Sequence, residues 1–302
     1  MNQRVQTLLK SKFGKVKAVS GGSYRIPCPT CDPTHSKKMK RYLSPGWTTS
    51  RCFICEKTIP ISELLENSEE FERAVGDFEE PEYPYATIAP YVCCYRLTEL
   101  PEDNEALRFL KKDHLSNLSY YDQLGIRYIG PNCGMPIKFD SGFTVDTSEA
   151  LFFPIFGKDQ QYAGWQVRFI PNTPNGDKFQ FMRYMHLFPK GDHLFNYHGA
   201  KQYDTVVVVE GVKKALKLAN SVATLGKGIS DKQKQLIQEW RNIILVLDSE
   251  EGAQELALEI QREFRMNGRR CYNVNLGKYG FDSPDETTAE QLSAIIQNEI
   301  LL

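Results

Sequence analysis

The sequence of 302 residues contains no apolar run that could span a membrane, because a spanning helix needs about 20 consecutive apolar residues. Its start, Met1-Asn-Gln-Arg-Val, also lacks the hydrophobic region of a signal peptide. We therefore expect a cytoplasmic protein with no membrane partner. Disulfides are disfavoured in that reducing compartment, so cysteines that are paired in sequence are expected to bind metal.

Net charge is also nearly absent, at −1, but the charges are unevenly distributed along the chain. Residues 1–57 carry twelve Lys and Arg against two acidic residues, whereas residues 58–90 carry nine Asp and Glu against a single arginine. A basic segment of this kind is typical of a nucleic-acid contact. The acidic stretch 66–90, which contains three prolines, is predicted to be a flexible linker.

Two Cys-x-x-Cys pairs lie in the basic segment, with twenty residues between them. They are Cys28-Pro-Thr-Cys31 and Cys52-Phe-Ile-Cys55. Each pair aims two thiolates at one ion, so the spacing predicts a zinc ribbon over residues 1–65 that is stabilised by one structural zinc, with His35 as a competing ligand. Cations interleaved with an aromatic residue around these cysteines are predicted to contact single-stranded nucleic acid; they are Lys37, Lys38, Lys40, Arg41, Trp47 and Arg51.

The other four cysteines have no metal-ligand spacing and are expected to be buried small hydrophobes or incidental thiols. They are Cys93, Cys94, Cys133 and Cys271.

Two runs of β-branched and aliphatic residues each end abruptly in carboxylates. Residues 204–209 precede Glu210, and residues 242–247 precede Asp248 and Glu250. A helical pattern follows each run, so the runs are predicted to be buried parallel strands of an α/β sheet. Ligands of such sheets lie at the carboxyl ends of the strands, where clustered carboxylates would bind Mg²⁺. The alternative is that each carboxylate caps the helix that follows it.

The segment between the linker and these strands shows helical patterns followed by strand patterns. Residues 91–110 and 116–129 are predicted to form short helices, and residues 150–169 a β-hairpin around a polar turn. Basic residues in and after the hairpin are expected either to be ordinary surface or to face phosphates. They are Arg168, Lys178, Arg183 and Lys190.

The order of these parts resembles the replicative DNA primases of bacteria and phages, in which a zinc-binding domain and a linker precede an RNA polymerase domain with a Toprim fold. Val209-Glu210-Gly211 is similar to the first Toprim motif, and Asp248-Ser249-Glu250 takes the place of the usual Asp-x-Asp. The segment from Asp282 to Glu286 resembles the late acidic motif of the family. The four-cysteine ribbon is closer to the phage-type pattern than to the bacterial one.

The resemblance implies a multidomain protein of α+β and α/β class that makes short RNA primers from NTPs on a single-stranded DNA template. Its location would be the host cytoplasm if the protein is phage-encoded. The implied parts are a zinc ribbon at 1–65, a linker at 66–90, a basic polymerase subdomain at 91–200, a Toprim domain at 201–277, and an acidic motif with a helix at 278–302.

The resemblance also implies roles for the site residues. Glu210, Asp248 and Glu250 would be catalytic and would bind Mg²⁺ or Mn²⁺, with Asp282 or Asp285 assisting. The basic residues listed above, from Arg168 to Lys190, would bind the nucleotide or the template.

The sequence departs from the family pattern at three points. Glu250 replaces the second Asp of Asp-x-Asp, and Lys214 stands four residues after Glu210, where many members have an Asp. There is no Gly-x-x-x-x-Gly-Lys-[Ser/Thr] motif, so a separate replicative helicase is expected as a partner, with a single-strand-binding protein as a further candidate. The apolar residues of 289–302 would either dock that helicase or pack in the core. Two other functions stay open, a Toprim metal-dependent nuclease and a catalytically weak adaptor that binds single-stranded DNA.

Overall fold

The structure is a computed structural model that forms two compact units, Met1–Glu82 and Tyr83–Leu302. It describes residues 3–18, 24–31, 41–43, 49–52, 55, 57–60, 64, 89–139 and 143–301. Most of the predicted linker therefore lies outside the described residues. Within the described part of the chain, no helix is both long and apolar enough to cross a membrane.

The first unit is an antiparallel sheet preceded by a helix, which confirms the predicted ribbon. Its elements are α1 (Gln3–Phe13), β1 (Lys17–Ala18), β2 (Tyr24–Ile26), β3 (Arg41–Leu43), β4 (Thr49–Cys52) and β5 (Thr58–Pro60). The strands are hydrogen-bonded in chain order. Alternate residues point inward, so Tyr24, Ile26 and Leu43 are buried with Leu9 of α1 in a small core.

The second unit begins with two helices and an antiparallel sheet. The elements are α2 (Glu105–Lys112), α3 (Leu118–Gln123), β6 (Arg127–Ile129), β7 (Pro136–Lys138), β8 (Thr144–Asp146), β9 (Ala150–Phe156), β10 (Tyr162–Phe169), α4 (Pro174–Lys178) and β11 (Tyr184–His186). The predicted hairpin is confirmed as β9–β10, within a sheet of order β11-β10-β9-β6. The predicted helix 116–129 is wrong at its end, because Gly125 has a left-handed φ of 78° and residues 127–129 pair with β9.

The rest of the second unit is built on a parallel sheet. Its elements are α5 (Tyr197–Ala200), β12 (Thr205–Val209), α6 (Val212–Ala215), β13 (Ser221–Ala223), α7 (Asp231–Ile237), β14 (Asn242–Leu245), α8 (Glu251–Met266), β15 (Arg270–Asn273) and α9 (Ala289–Leu301). The strand order is β13-β12-β14-β15 and all pairs are parallel. Both predicted strands are confirmed, and their buried valines, isoleucines and leucines face helices on both sides of the sheet.

The largest hydrophobic cluster described in the second unit links its helical part to its parallel sheet. It joins Leu110 of α2 to Val209 of β12 and to Leu292 and Ile296 of α9. The predicted boundaries at residues 200 and 277 therefore fall inside a single compact unit. Leu292, Ile295 and Ile296 of α9 are buried in this core and Ile300 packs against it, so of the two predictions for this helix, core packing is confirmed for these residues.

The structure corrects one prediction about cysteines. Cys93 and Cys133 form a disulfide, although neither has a spacing that signals it. The backbone brings them together, because the amides of Val92 and Cys93 both donate to the carbonyl oxygen of Cys133. Cys271 is a buried free thiol, as predicted.

Candidate active site and metal centre

The four cysteines of the first unit converge on one point. The sulfur atoms of Cys28, Cys31, Cys52 and Cys55 all lie within 4.8 Å of one another. Sulfur atoms at such separations match the edges of a tetrahedral zinc site with bonds of about 2.3 Å. The cluster therefore fits a structural zinc, as the sequence predicts. His35, the alternative ligand, lies outside the described residues.

Arg41 supports this centre from the buried side of the sheet. Its Nε and Nη2 atoms donate to Cys28 Sγ at 3.3 and 3.2 Å, and its Nη1 atom donates to the Ser50 carbonyl oxygen at 3.0 Å. Burial acts to raise the pKa of Cys28, but hydrogen bonds from Thr30 and Arg41 outweigh it and lower that pKa to about 6. A thiolate is the form that binds zinc, so Arg41 prepares a ligand.

The prediction that Arg41 contacts nucleic acid is therefore corrected, because its side chain is fully buried. Side chains alternate between the two faces of a strand, so Arg41 points inward and Tyr42 points to the other face. On that other face the strand register aligns Lys17, Arg25, Tyr42 and Arg51 in one row across four strands. The Arg25 guanidinium lies 4.5 Å from the centre of the Tyr42 ring. Lys37, Lys38, Lys40 and Trp47 lie outside the described residues, and the side chain of Arg51 is not described.

Two of the predicted carboxylates, Glu210 and Asp248, follow the adjacent strands β12 and β14 at their carboxyl ends. From β12 the chain crosses to β13 on one side, and it then returns to β14 on the other side. Such a reversal leaves a crevice at the strand ends in which ligands of α/β sheets bind. Glu210 follows β12 directly, and its Oε1 atom accepts a hydrogen bond of 3.4 Å from the amide of Asp248.

Glu210 is almost completely buried, with 6% of its surface exposed. Burial raises the pKa of Glu210, the nearby Asp248 raises it further, and Lys214 opposes both. A carboxylate held in this way binds a cation favourably, because the cation removes both the burial cost and the repulsion. Neither Glu210 nor Asp248 caps a helix, so the alternative prediction fails for these two residues.

Two lysines neutralise the other carboxylates. Lys214 forms an ion pair with Asp248, and both side chains are largely buried. Lys227 pairs with Glu250 at 2.6 Å, and both of those side chains are mainly exposed. Glu250 holds the N-cap position of α8, but its side chain makes no capping hydrogen bond.

With the lysines in these positions, the carboxylates are not gathered around one point. Among the described residues, the cysteine cluster is the one group of three or more Cys, His, Asp or Glu side chains that is close enough to share an ion. The donor type nevertheless fits Mg²⁺ or Mn²⁺, since both prefer oxygen ligands.

The late acidic segment divides between two places. The Asp282 carbonyl accepts from the Ser249 amide at 2.8 Å, and Asp282 Oδ1 accepts from the Ser249 hydroxyl at 3.2 Å. Asp282 therefore lies beside the Asp248–Glu250 loop, as the prediction requires. Asp285 instead turns to Lys213, at 3.8 Å, and burial raises the pKa of Asp285 despite that cation.

A buried charge cluster that the sequence analysis missed surrounds Asp285. Lys213 and Lys217, one turn apart on and after α6, both reach the end of α2, where they contact Asp113. Burial lowers the pKa of Lys217 to about 8. The signal was two lysines at a spacing of four, Lys213 and Lys217, in a segment that is apolar apart from these two and Lys214.

The predicted basic residues have different surroundings. Arg168 is half-buried between the rings of Phe109 and Tyr184, at 5.2 and 5.1 Å. Lys190 is half-buried, and burial lowers its pKa. Its amino group lies against Gly226, because a Cβ atom at position 226 would be 2.9 Å from Lys190 Nζ. Lys178 and Arg183 are exposed.

The amide of Gly226 donates to the Glu210 carbonyl oxygen at 3.1 Å, so Lys190 borders the carboxylate site. Within the described ranges, Lys190 has no carboxylate partner and no hydrogen-bond acceptor for its amino group.

No protein-family model matches the chain, and no curated protein matches it. Solved structures do match. The Aquifex aeolicus primase, comprising zinc-binding and RNA polymerase domains, is 17% identical, with a TM-score of 0.50, over 99% of this chain and 86% of that one. A DNA primase domain from Pseudomonas aeruginosa is 18% identical, with a TM-score of 0.51, over 68% and 75% of the two chains. A DnaG primase catalytic domain bound to single-stranded DNA is 22% identical, with a TM-score of 0.50, over 66% and 75%. This chain therefore has the fold of these primase structures.

Proposed function

We propose that this protein is a DNA primase that synthesises short RNA primers on single-stranded DNA by nucleotidyl transfer. The observation that carries the proposal is the contact between Glu210 and the start of the Asp248–Glu250 loop, at the strand reversal of a sheet in a primase fold. These carboxylates come from segments 38 residues apart in the chain. A purely structural role would not require a buried Glu with a raised pKa at this edge of the sheet.

The carboxylates would hold Mg²⁺ or Mn²⁺, with Glu210 and Asp248 as ligands and Glu250 and Asp282 at the border of the same loop. When bound, such ions lower the pKa of an attacking hydroxyl and offset charge on a leaving pyrophosphate. The Lys214 and Lys227 side chains keep Asp248 and Glu250 neutralised until an ion arrives. Ser249, through its two hydrogen bonds to Asp282, fixes the loop on which both carboxylates lie.

Lys190 would bind a phosphate. A half-buried ammonium that lacks an anion within the described residues is costly, and a phosphate oxygen would offset that cost. Arg168 is held by two aromatic rings, and its Nη1 atom donates to the Arg183 carbonyl oxygen at 3.1 Å. It would bind the same ligand or the template less directly, since Asp113 and Asp285 lie near it.

The zinc-binding unit would bind unpaired template bases. The row of Lys17, Arg25, Tyr42 and Arg51 combines cations with an aromatic ring, as single-strand binding surfaces do. The predicted contacts at Lys37, Lys38, Lys40 and Trp47 would extend it. The DnaG catalytic domain of similar fold was solved with single-stranded DNA, which supports single-stranded DNA as a partner of the protein but does not bear on the zinc-binding unit itself. A separate replicative helicase and a single-strand-binding protein complete the proposed partners.

Labelled NTP incorporation on single-stranded templates of varied sequence tests the proposal, with zinc content measured on the same sample. We expect incorporation by the wild type and none by Asp248→Asn, which keeps the shape of the side chain and removes its charge. Asp204→Asn is the matched control, because Asp204 is exposed at the opposite end of β12. Persistence of dinucleotide formation in Asp248→Asn would refute the role of the carboxylates. Template cleavage without NTP use would identify a nuclease instead.

One observation favours a second candidate function. Lys214 stands where many primases have an Asp, so a cation takes the place of a possible metal ligand. It also forms an ion pair with Asp248, as expected of a weakly catalytic adaptor that binds single-stranded DNA. Such an adaptor would bind the template and incorporate no NTP at any Mg²⁺ or Mn²⁺ concentration. The same assay therefore separates the two candidates.

A further inference from the structure

A cluster of phenylalanine rings lies at the surface of the second unit, and none of its residues is assigned above to metal binding. We call Phe143, Phe179 and Phe181 the aromatic platform. Phe179 is fully buried, whereas Phe143 is 43% exposed and Phe181 is 72% exposed. The three ring centres are 6.1 to 6.5 Å apart, so the rings contact one another. Single exposed phenylalanines are common, but contacting rings of which one is displayed this fully require an explanation.

The backbone under the platform is firmly held. Phe181 occupies the middle of a 3₁₀ turn, Gln180–Met182, that follows α4 directly. Phe179 anchors the turn on one side by packing its ring 5.1 Å from that of Phe169 on β10. On the other side, the Arg183 carbonyl accepts hydrogen bonds from Phe169 and Arg168. The Phe181 ring is thus presented to solvent by a fixed turn, which lowers the entropy lost when a ligand binds.

Two exposed cations lie next to the platform in the chain. Lys178 and Arg183 flank Phe181 and are both exposed, and neither forms an ion pair within the described parts of the chain. The Lys178 amino group lies 5.2 Å from the centre of the Phe179 ring. The nearby acidic residue, Asp177, accepts a hydrogen bond from the backbone amide of Asn172, so its carboxylate is already used locally.

We propose that the aromatic platform stacks an unpaired base of single-stranded DNA, while Lys178 and Arg183 bind the phosphates on either side. Aromatic faces with neighbouring cations are the combination by which proteins hold single strands without reading sequence. A partner protein would be a less suitable occupant, because exposed unpaired cations at the rim favour a polyanion. This proposal rests on the proposed function, since it assigns a subsite to the template strand.

The test measures binding of a fluorescein-labelled oligothymidylate by anisotropy, and stacking by the fluorescence of an oligonucleotide that contains 2-aminopurine. Stacking on an aromatic ring contributes about 1–3 kcal/mol per base, so Phe181→Ala should weaken binding by about 5- to 150-fold. It should also reduce the quenching of 2-aminopurine fluorescence. Phe181→Trp should preserve both signals, whereas Phe181→Leu should behave like the alanine variant because it keeps apolar area but lacks a π-face.

Phe156→Ala is the matched control. Phe156 is a 42% exposed aromatic residue at the end of β9 whose ring contacts Tyr162 rather than the platform. Its loss should leave DNA binding unchanged. Lys178→Ala should reduce the salt dependence of binding by about 0.7 in the slope of log K against log salt, as expected for one lost phosphate contact on a single strand.

The outcomes distinguish this proposal from the proposed function. DNA binding with wild-type affinity by Phe181→Ala would overturn base stacking. So would DNA binding with wild-type affinity by Phe181→Leu. In the second case the platform would be an apolar docking surface. Loss of DNA binding in Phe181→Ala by a protein that incorporates no NTP would support the platform and refute the primase activity.

Discussion

Removal of the Lys214 ammonium should strengthen the binding of divalent cations to the carboxylate site. Lys214 is paired with Asp248 in the structure, so a metal ion that uses Asp248 must first displace this lysine. In a Lys214→Ala variant the carboxylate is free, and the ion no longer competes with a tethered cation. The change in affinity therefore equals the free energy of the ion pair, apart from relaxation of the loop.

The surroundings of the pair set the size of the effect. The Lys214 and Asp248 side chains are 13% and 25% exposed, between a surface pair and a buried one. Exposed pairs contribute about 0.2–1 kcal/mol and breaking buried pairs costs about 3–5 kcal/mol, so we assign about 1–2 kcal/mol here. That free energy corresponds to a gain of about 5- to 30-fold in metal affinity.

Electron paramagnetic resonance of Mn²⁺ measures this affinity directly, because free Mn²⁺ gives a sharp signal that is lost on binding. The titration should be done near pH 8. Burial and Asp248 raise the pKa of Glu210 and Lys214 opposes them, so loss of Lys214 raises that pKa further. A pH near 8 lies well above the ordinary pKa of a carboxyl group and so limits competition from protons at Glu210.

Lys227→Ala supplies the graded control, since the Lys227 and Glu250 side chains are 70% and 52% exposed. A surface pair of this kind should change Mn²⁺ affinity by about twofold or less. Unchanged or weaker Mn²⁺ binding in Lys214→Ala would refute the argument that this lysine and the metal compete for Asp248. An equal gain in both variants would show that general charge, rather than the specific pair, controls affinity.

Three further predictions concern the zinc centre and the charged groups. Zinc chelation should remove the unfolding transition of Met1–Glu82 in calorimetry and leave that of Tyr83–Leu302, because the two are separate compact units; a shift of both transitions would contradict this. Arg41→Ala should lower zinc affinity by about 10- to 100-fold in chelator competition, since Cys28 loses two donors; unchanged affinity would contradict that role. Burial acts to raise the pKa of Glu239, but Lys158, Tyr197 and Lys201 outweigh it and lower that pKa to about 2. Glu239→Gln should therefore destabilise the protein by about 1–3 kcal/mol at pH 7, and the difference in melting temperature should shrink as pH falls from about 4.5 toward 2; a constant difference would refute the assignment.

The sequence correctly predicts features that depend on residues close together in the chain. The apolar runs before Glu210 and Asp248 predicted parallel strands, because strands that are buried on both faces need continuous apolar residues. Strand ends of one sheet meet at one edge, so the proximity of these two carboxylates was also predictable. The two Cys-x-x-Cys turns predicted the metal centre for a similar reason, since each turn sets the geometry of its own two thiolates.

The facing of individual side chains was harder to predict. The sequence pattern predicts a surface role for Arg41 like that of its basic neighbours, yet the register of β3 turns Arg41 toward Cys28 and turns Tyr42 to the other face. A shift of one residue along a strand reverses the face, and the segment around residue 41 gives a weak signal for its register.

Contacts between distant segments were decided by the tertiary structure alone. The pairing of Lys214 with Asp248, the disulfide between Cys93 and Cys133, and the turn of Asp285 toward Lys213 each join residues that local patterns treat separately. The sequence by itself thus determined the parallel strands, the hairpin and the place where the four thiolates converge, and it brought Glu210 and Asp248 to one edge of the sheet. Which cation neutralises which carboxylate depends on distances of a few ångströms between elements, and only the packed core sets those distances.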